Sequence, residues 1–195
     1  METYNQEPLA DENMPAEEGT NWKRFFLDVV ETLVLAVILF VGINAVSARV
    51  RVDGFSMRPT LEDGEFLLVS KLSYKFGEFN RGDIIVFHFP LNPKEELVKR
   101  IIGLPGDKIM VQDGQVFLNG QLQSEDYIAQ LPLYNGEWTV AEGFLFVLGD
   151  NRNNSNDSKD WGLLPQENVV GKAVLIYWPP PMWGTLTHSQ LAASQ

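Results

Sequence analysis

The sequence predicts a mostly β protein carried on one N-terminal membrane helix. Three observations predict it: an uncharged apolar run from Leu33 to Val46, a succession of short β-rich runs after Ala48 broken by Gly, Asn, Asp or Pro, and the hairpin-type dipeptides Asp113-Gly114 and Asn119-Gly120. At 195 residues and 45% hydrophobic content the chain has material for one domain with an extra lobe. Lys+Arg 15 against Asp+Glu 26 leaves a net charge of −11, which argues against gripping phosphate backbones, so nucleic acid is not an expected partner. The absence of cysteine removes a thiol nucleophile, disulfides, iron–sulfur clusters and Cys-ligated zinc, and leaves the compartment open. His88 and His188 are the only histidines and neither sits in an H-E-x-x-H pattern, so no metal and no other cofactor is expected.

Taken in order, residues 1–21 read as a disordered acidic tail. Glu2, Glu7, Asp11, Glu12, Glu17 and Glu18 fall here with no Lys or Arg before Lys23, so more than half of the net charge belongs to this segment. An anchor segment follows over 22–48, with a transmembrane helix expected over 27–47, because about 20 apolar residues span the hydrocarbon core. Asp28 and Glu31 are expected in its first turns near the headgroups, and Trp22 in the interfacial belt. Two other readings stay open from the residues alone: a buried core helix, and a cleavable signal peptide with Lys23-Arg24 as its basic region and Val46-x-Ala48 as its cleavage spacing. Lys23 and Arg24 on one side balance Arg49 and Arg51 on the other, so charge counting leaves sidedness open.

Beyond Ala48 the β runs are Phe66–Val69, Ile84–Phe89, Leu97–Ile102, Lys108–Val111, Gln115–Leu118, Gly143–Leu148 and Val169–Tyr177. They predict a β core over 49–107 and 142–180 with a hairpin lobe inserted over 108–141. Ser124 to Thr139 within that lobe reads as polar and irregular, and 181–195 as a flexible tail.

Three places break the pattern. Ser56, in Gly54-Phe-Ser-Met-Arg-Pro59, puts a hydroxyl between apolar neighbours at a turn, a setting in which most serines simply cap or turn the chain. No G-x-S-x-G elbow accompanies it. Lys99 lies within Leu97-Val-Lys-Arg-Ile-Ile102, where alternation puts Leu97 and Ile101 on its face and Val98 and Ile102 beside Arg100. A lysine on the core face is desolvated and becomes a usable base near neutral pH; a lysine at a sheet edge only snorkels to water. Gly149–Gly162, rich in Asn, Asp and Ser, predicts a rigid loop held by side-chain-to-backbone hydrogen bonds, and counted from Asp150 the Arg152 at the third position and the lack of a glycine at the sixth tell against an EF-hand.

Gly-Phe-Ser56-Met-Arg-Pro-Thr-Leu61, Arg81-Gly-Asp-Ile-Ile-Val-Phe87, Lys99-Arg-Ile-Ile-Gly-Leu-Pro-Gly-Asp107 and Gly149-Asp-Asn-Arg-x-x-Ser-x-Asp-Ser-Lys-x-Trp-Gly162, in this order behind one apolar helix, resemble type I bacterial signal peptidase over about residues 22–180. The resemblance implies a signal-peptidase-like antiparallel β-sheet or barrel, single-pass in the bacterial cytoplasmic membrane. The N-terminus would be cytoplasmic and the catalytic domain extracytoplasmic. Its partners would be the lipid bilayer and the signal peptides of exported preproteins, cut after small residues. It assigns Ser56 as nucleophile, Lys99 as general base and Ser155 as the serine that orients the lysine amine. It pairs Asp150 with Arg100 and Asp157 with Lys159, where the family usually has Arg. The oxyanion donors are expected to be the Ser56 N–H and a backbone N–H near Gly54, since the serine that some members place at that position is absent. Val52, Met57, Leu61 and Val98 fall at substrate-pocket positions, with plain core as their alternative. Two rivals share some of these features: a self-cleaving Ser-Lys repressor-type protease, and an inactive membrane-anchored homologue serving as a scaffold.

Overall fold

In the computed structural model, which describes residues 22–186, Trp22–Val46 form one helix, α1. Helical structure begins five residues before the expected start, because Trp22–Phe26 is helix-compatible and continuous with the apolar run. Asp28 therefore sits in the second turn and Glu31 in the third. At 1.5 Å per residue α1 is about 37 Å long, enough to cross a hydrocarbon core. Its best window has a mean hydropathy of 2.5 and none of its residues is buried, which removes the buried-core-helix reading. The acidic tail expected at 1–21 and residues 187–195 lie outside the described residues.

The chain divides into two units between Val41 and Gly42. Within the second unit, β1 (Ser47–Arg51), β2 (Phe66–Ser70), β3 (Ile84–Phe89) and β4 (Asn92–Gly103) belong to one large antiparallel sheet. The short helix α2 (Ser73–Phe76) intervenes between β2 and β3. Four strands form a second antiparallel sheet: β5 (Lys108–Gln112), β6 (Gln115–Leu118), β7 (Gln121–Leu122) and β8 (Gly136–Thr139). The chain then returns to the first sheet with β9 (Phe144–Leu148), the single-turn α3 (Ser158–Trp161), β10 (Leu164–Pro165), β11 (Val169–Trp178) and β12 (Gly184–Thr185). The large sheet runs β1-β2-β11-β3-β4-β9-β10 with β12 on β11, and the small one runs β7-β6-β5-β8.

Local chemistry accounts for the hairpins. Asp113 and Gly114 have φ of 51° and 78°, Asn119 and Gly120 of 53° and 83°, so both dipeptides make the left-handed turns that match strand twist. Two expectations are corrected. Gly136–Thr139 is a strand paired to Lys108–Val111, not irregular chain, since its side chains alternate between the lobe core and solvent. The stretch after Tyr177 is not loose from 181 onward, because Gly184–Thr185 pairs with Leu175 and Ile176.

The core has three apolar clusters. One gathers Val52, Met57, Leu61, Leu67, Val69 and Ile84, and a second gathers Ile85, Phe87, Ile101, Leu145 and Val147. The third, with Ile102, Ile109, Val111, Phe146 and Leu148, joins the two sheets. Asp107 pins the same junction. Burial alone would raise its carboxyl, but it accepts two hydrogen bonds from Arg81 at 2.8 Å each, one from Leu104 N–H and one from Asn119 Nδ2. Together these hold it below the ordinary carboxylate range.

Candidate active site

Ser56 sits in the turn between β1 and β2, and Lys99 sits mid-strand in β4 opposite Ile85. Lys99 is 3% exposed, so alternation resolves in favour of the core face. Its Nζ donates to Ser56 Oγ at 2.7 Å and to Val98 O at 3.0 Å. Burial pushes the amine down from 10.5 to about 8. The nearby Asp157 carboxylate opposes that and the Lys159 charge reinforces it. A hydroxyl bonded to an amine whose neutral form is accessible near neutral pH can be deprotonated on attack without a histidine.

Arg100, the next residue, turns to the other face and is also buried. Its Nε and Nη2 grip Asp150 Oδ1 and Oδ2 at 2.8 and 2.6 Å, and Nη1 donates to Gly82 O at 2.9 Å. Thr60 Oγ1, from the Ser56 segment, donates to Asp150 Oδ2 at 2.5 Å. The base strand, the serine turn and the loop after β9 are thereby tied at one carboxylate. Asp157 caps α3: its Oδ1 accepts from Lys159 N–H, its Oδ2 from Gly149 N–H, and Asp160 answers from the third helical position to complete a capping box. Lys159 Nζ lies 3.3 Å from Asp157 Oδ1 and 2.9 Å from Asp160 Oδ2 and donates to Ser155 O.

Residues 26–178 match the family described as Signal peptidase, peptidase S26. The chain belongs to the signal peptidase family. Signal peptidase I of Leptolyngbya laminosa is 40% identical over 195 residues, covering 95% of this chain and 96% of that protein. The probable signal peptidase I-2 of Synechocystis sp. is 42% identical over 173 residues, covering 83% of this chain and 78% of that protein. A crystal structure of a signal peptidase I from Enterococcus faecalis is 35% identical, aligned over 49% of this chain and 96% of that one with a TM-score of 0.46. Family membership makes the chain a peptidase, and its own structure is mostly β with an N-terminal apolar helix.

Two contacts in this signal peptidase differ from those expected of it. Ser155 Oγ does not bond Lys99. It is buried with no hydrogen-bond partner among the described residues, while the Lys99 amine turns to Ser56 and Val98 O. Gly149 makes room for that hydroxyl: a Cβ there would lie 2.2 Å from Ser155 Oγ and 2.4 Å from Ser56 O. The Gly54 N–H is also committed, donating to Asp63 Oδ1 at 2.8 Å, which takes it out of the oxyanion role expected near it. Ser56 N–H has no acceptor among the described residues. Val52, Met57 and Leu61 are buried in one cluster, with Val98 half-buried against it.

Three contributors were not singled out in the sequence. Asn151 donates its backbone N–H to Ser56 O at 3.0 Å and its Nδ2 to Phe55 O at 3.1 Å, clamping the serine turn from both carbonyls. Thr60 bridges Asp150 as described. Glu125, from the small-sheet segment, takes the buried Arg152 guanidinium through two 2.6 Å contacts. The Asx-rich composition was the available signal for Asn151. For Glu125 there was none, since one acid in a polar stretch looks like any other.

Proposed function

We propose that this chain is a membrane-bound serine endopeptidase that removes signal peptides from exported preproteins after small residues, with Ser56 as nucleophile and neutral Lys99 as general base. The observation that carries the proposal is the 2.7 Å contact between Ser56 Oγ and a Lys99 amine that burial holds near 8. As Ser56 Oγ attacks the scissile carbonyl, Lys99 Nζ takes its proton, and the Ser56 N–H stabilises the developing oxyanion. The ammonium returns that proton to the leaving amine, which releases the mature protein and leaves an acyl-enzyme. Neutral Lys99 then activates a water for deacylation.

The substrate enters as an extended strand. β1 is an edge of the large sheet, and β4 meets β9 only from Arg100 onward, so the Glu95–Val98 stretch keeps a free edge near Ser56. Small side chains suit a floor made by Val52, Met57, Leu61 and Val98, which are packed closely together. Asp150 with Arg100, and Asp157 with Lys159, hold the surrounding segments, and Ser155 stands beside the dyad. The helix anchors the enzyme in the bacterial cytoplasmic membrane with the N-terminus inside and the catalytic unit outside.

The purified chain in detergent should cleave a preprotein bearing an A-x-A site, while Ser56→Ala and Lys99→Ala lose at least about a thousandfold in kcat/KM. For the parent, kcat/KM should climb with pH through about 8 as Lys99 loses its proton. Undiminished cleavage by either variant would overturn the assignment.

A further inference from the structure

The two flanks of Ser56 differ in chemistry. On one lie the buried Val52, Met57 and Leu61. On the other a cleft of about 670 Å³ is lined by Asp53, Phe55 and Ser56 from the serine turn and by Asn154, Ser155 and Asp160 from the segment after β9, polar except for Phe55. We propose that this cleft receives the residues that follow the scissile bond, and that Asp53 and Asp160 make it select against acidic side chains there. The inference rests on the reading of Ser56 as nucleophile, because a serine that attacks the bond must have substrate on both sides. The apolar flank suits the small residues before the cut, which leaves the polar cleft for those after it.

The walls offer acceptors and negative charge with little to balance them. The Asp53 carboxylate is exposed and makes no hydrogen bond or ion pair among the described residues. Asp160 uses one oxygen, Oδ2, for the Asp157 N–H and Lys159 Nζ, and that same lysine also serves Asp157, so one cation is shared by two carboxylates. The buried Ser155 hydroxyl, without a partner, also borders the cleft. A neutral amide or an ammonium entering here finds acceptors, whereas a carboxylate meets like charge. Because both aspartates are exposed, the discrimination is modest, about three- to tenfold in kcat/KM.

The test uses the full chain in detergent and preproteins identical except for Asp, Asn or Lys at the first position after an A-x-A site. The parent should cleave the Asn and Lys substrates about three- to tenfold faster than the Asp substrate, with the gap closing in about 0.5 M NaCl as the charges are screened. Asp53→Asn should shrink the gap and Asp53→Lys should erase or invert it; neither change removes a contact that the fold uses. Equal cleavage of Asp and Asn substrates by the parent, or a gap unchanged in both variants, would overturn the proposal and leave the nucleophile assignment standing. Cleavage surviving in Ser56→Ala would instead remove the assignment on which the proposal rests.

Discussion

A lysine buried to 3% exposure is held at a cost to folding. The unfolded chain binds the Lys99 proton up to its ordinary value of 10.5, while the folded chain gives it up at about 8. Between those values the unfolded state holds more protons, so stability rises with pH across that window and the penalty is fully present below about 8. Its size is on the order of 3 kcal/mol, less whatever the bonds to Ser56 and Val98 return. Lys99→Met, similar in length and uncharged, should therefore raise the melting temperature at pH 6.5 by roughly 3–10 °C, and the gain should fade as the pH approaches 10. Thermal unfolding of parent and variant across that range checks it, and a gain independent of pH would contradict a titrating buried amine. The serine–lysine pair is thus a local instability that the rest of the fold must carry.

At the scale of elements, the loop from Gly149 to Asp157 bridges two parts of the second unit. Asn151 clamps the carbonyls of Phe55 and Ser56 from one side. From the other, Arg152 is held by Glu125, and Asn153 exchanges hydrogen bonds with Leu131 O and Leu133 N–H. Tyr127 fills the space between, with the Arg100 guanidinium 4.0 Å over its ring and its hydroxyl donating to Glu125 at 2.7 Å. The segment after β7 therefore buttresses the site. Glu125→Gln leaves the Arg152 guanidinium buried without its counter-ion and should cost about 3–5 kcal/mol, whereas an apolar Glu125→Leu/Arg152→Met pair should recover much of that. A double-mutant cycle on stability measures the coupling. In Glu125→Gln the surviving activity should show a lower kcat with little change in KM, as displacement of the serine turn predicts.

At the scale of the whole molecule, an apolar helix with no buried residue precedes in sequence a β unit in which Asp107, Asp150, Glu125 and Asp83 each pair with a basic side chain. The proposed topology puts the N-terminus in the cytoplasm and the β unit outside. The lack of any native cysteine makes this simple to check. A membrane-impermeant maleimide added to intact spheroplasts should label Gln121→Cys, an exposed position, and spare Thr3→Cys until the membrane is permeabilised. The opposite pattern would invert the orientation, which the two-against-two balance of flanking charges could not decide.

Much of this was legible in the chain because it rests on short-range rules. A run of β-branched and aromatic residues bounded by Gly82-Asp83 and Pro90 marked Ile84–Phe89, Asp113-Gly114 and Asn119-Gly120 could hardly be anything but hairpin turns, and an apolar segment of membrane length declares itself. The illegible parts depended on distant partners. β8 and β12 are too short to show a period and exist because β5 and β11 offer them an edge. The choice between a snorkelling and a buried Lys99 was likewise open until the sheet showed which face of β4 turns inward. By itself the sequence determined an apolar helix of membrane-spanning length, the strand-rich class and the residue types available for chemistry: no thiol, two histidines, and a serine and a lysine in suggestive settings. Only the tertiary structure decided that Ser56 and Lys99 meet, that the Gly54 amide is already taken and that Glu125 closes on Arg152. Each of these joins residues 9 to 43 positions apart, and contacts at such separations are set by how strands stack, not by the residues that lie next to one another in the chain.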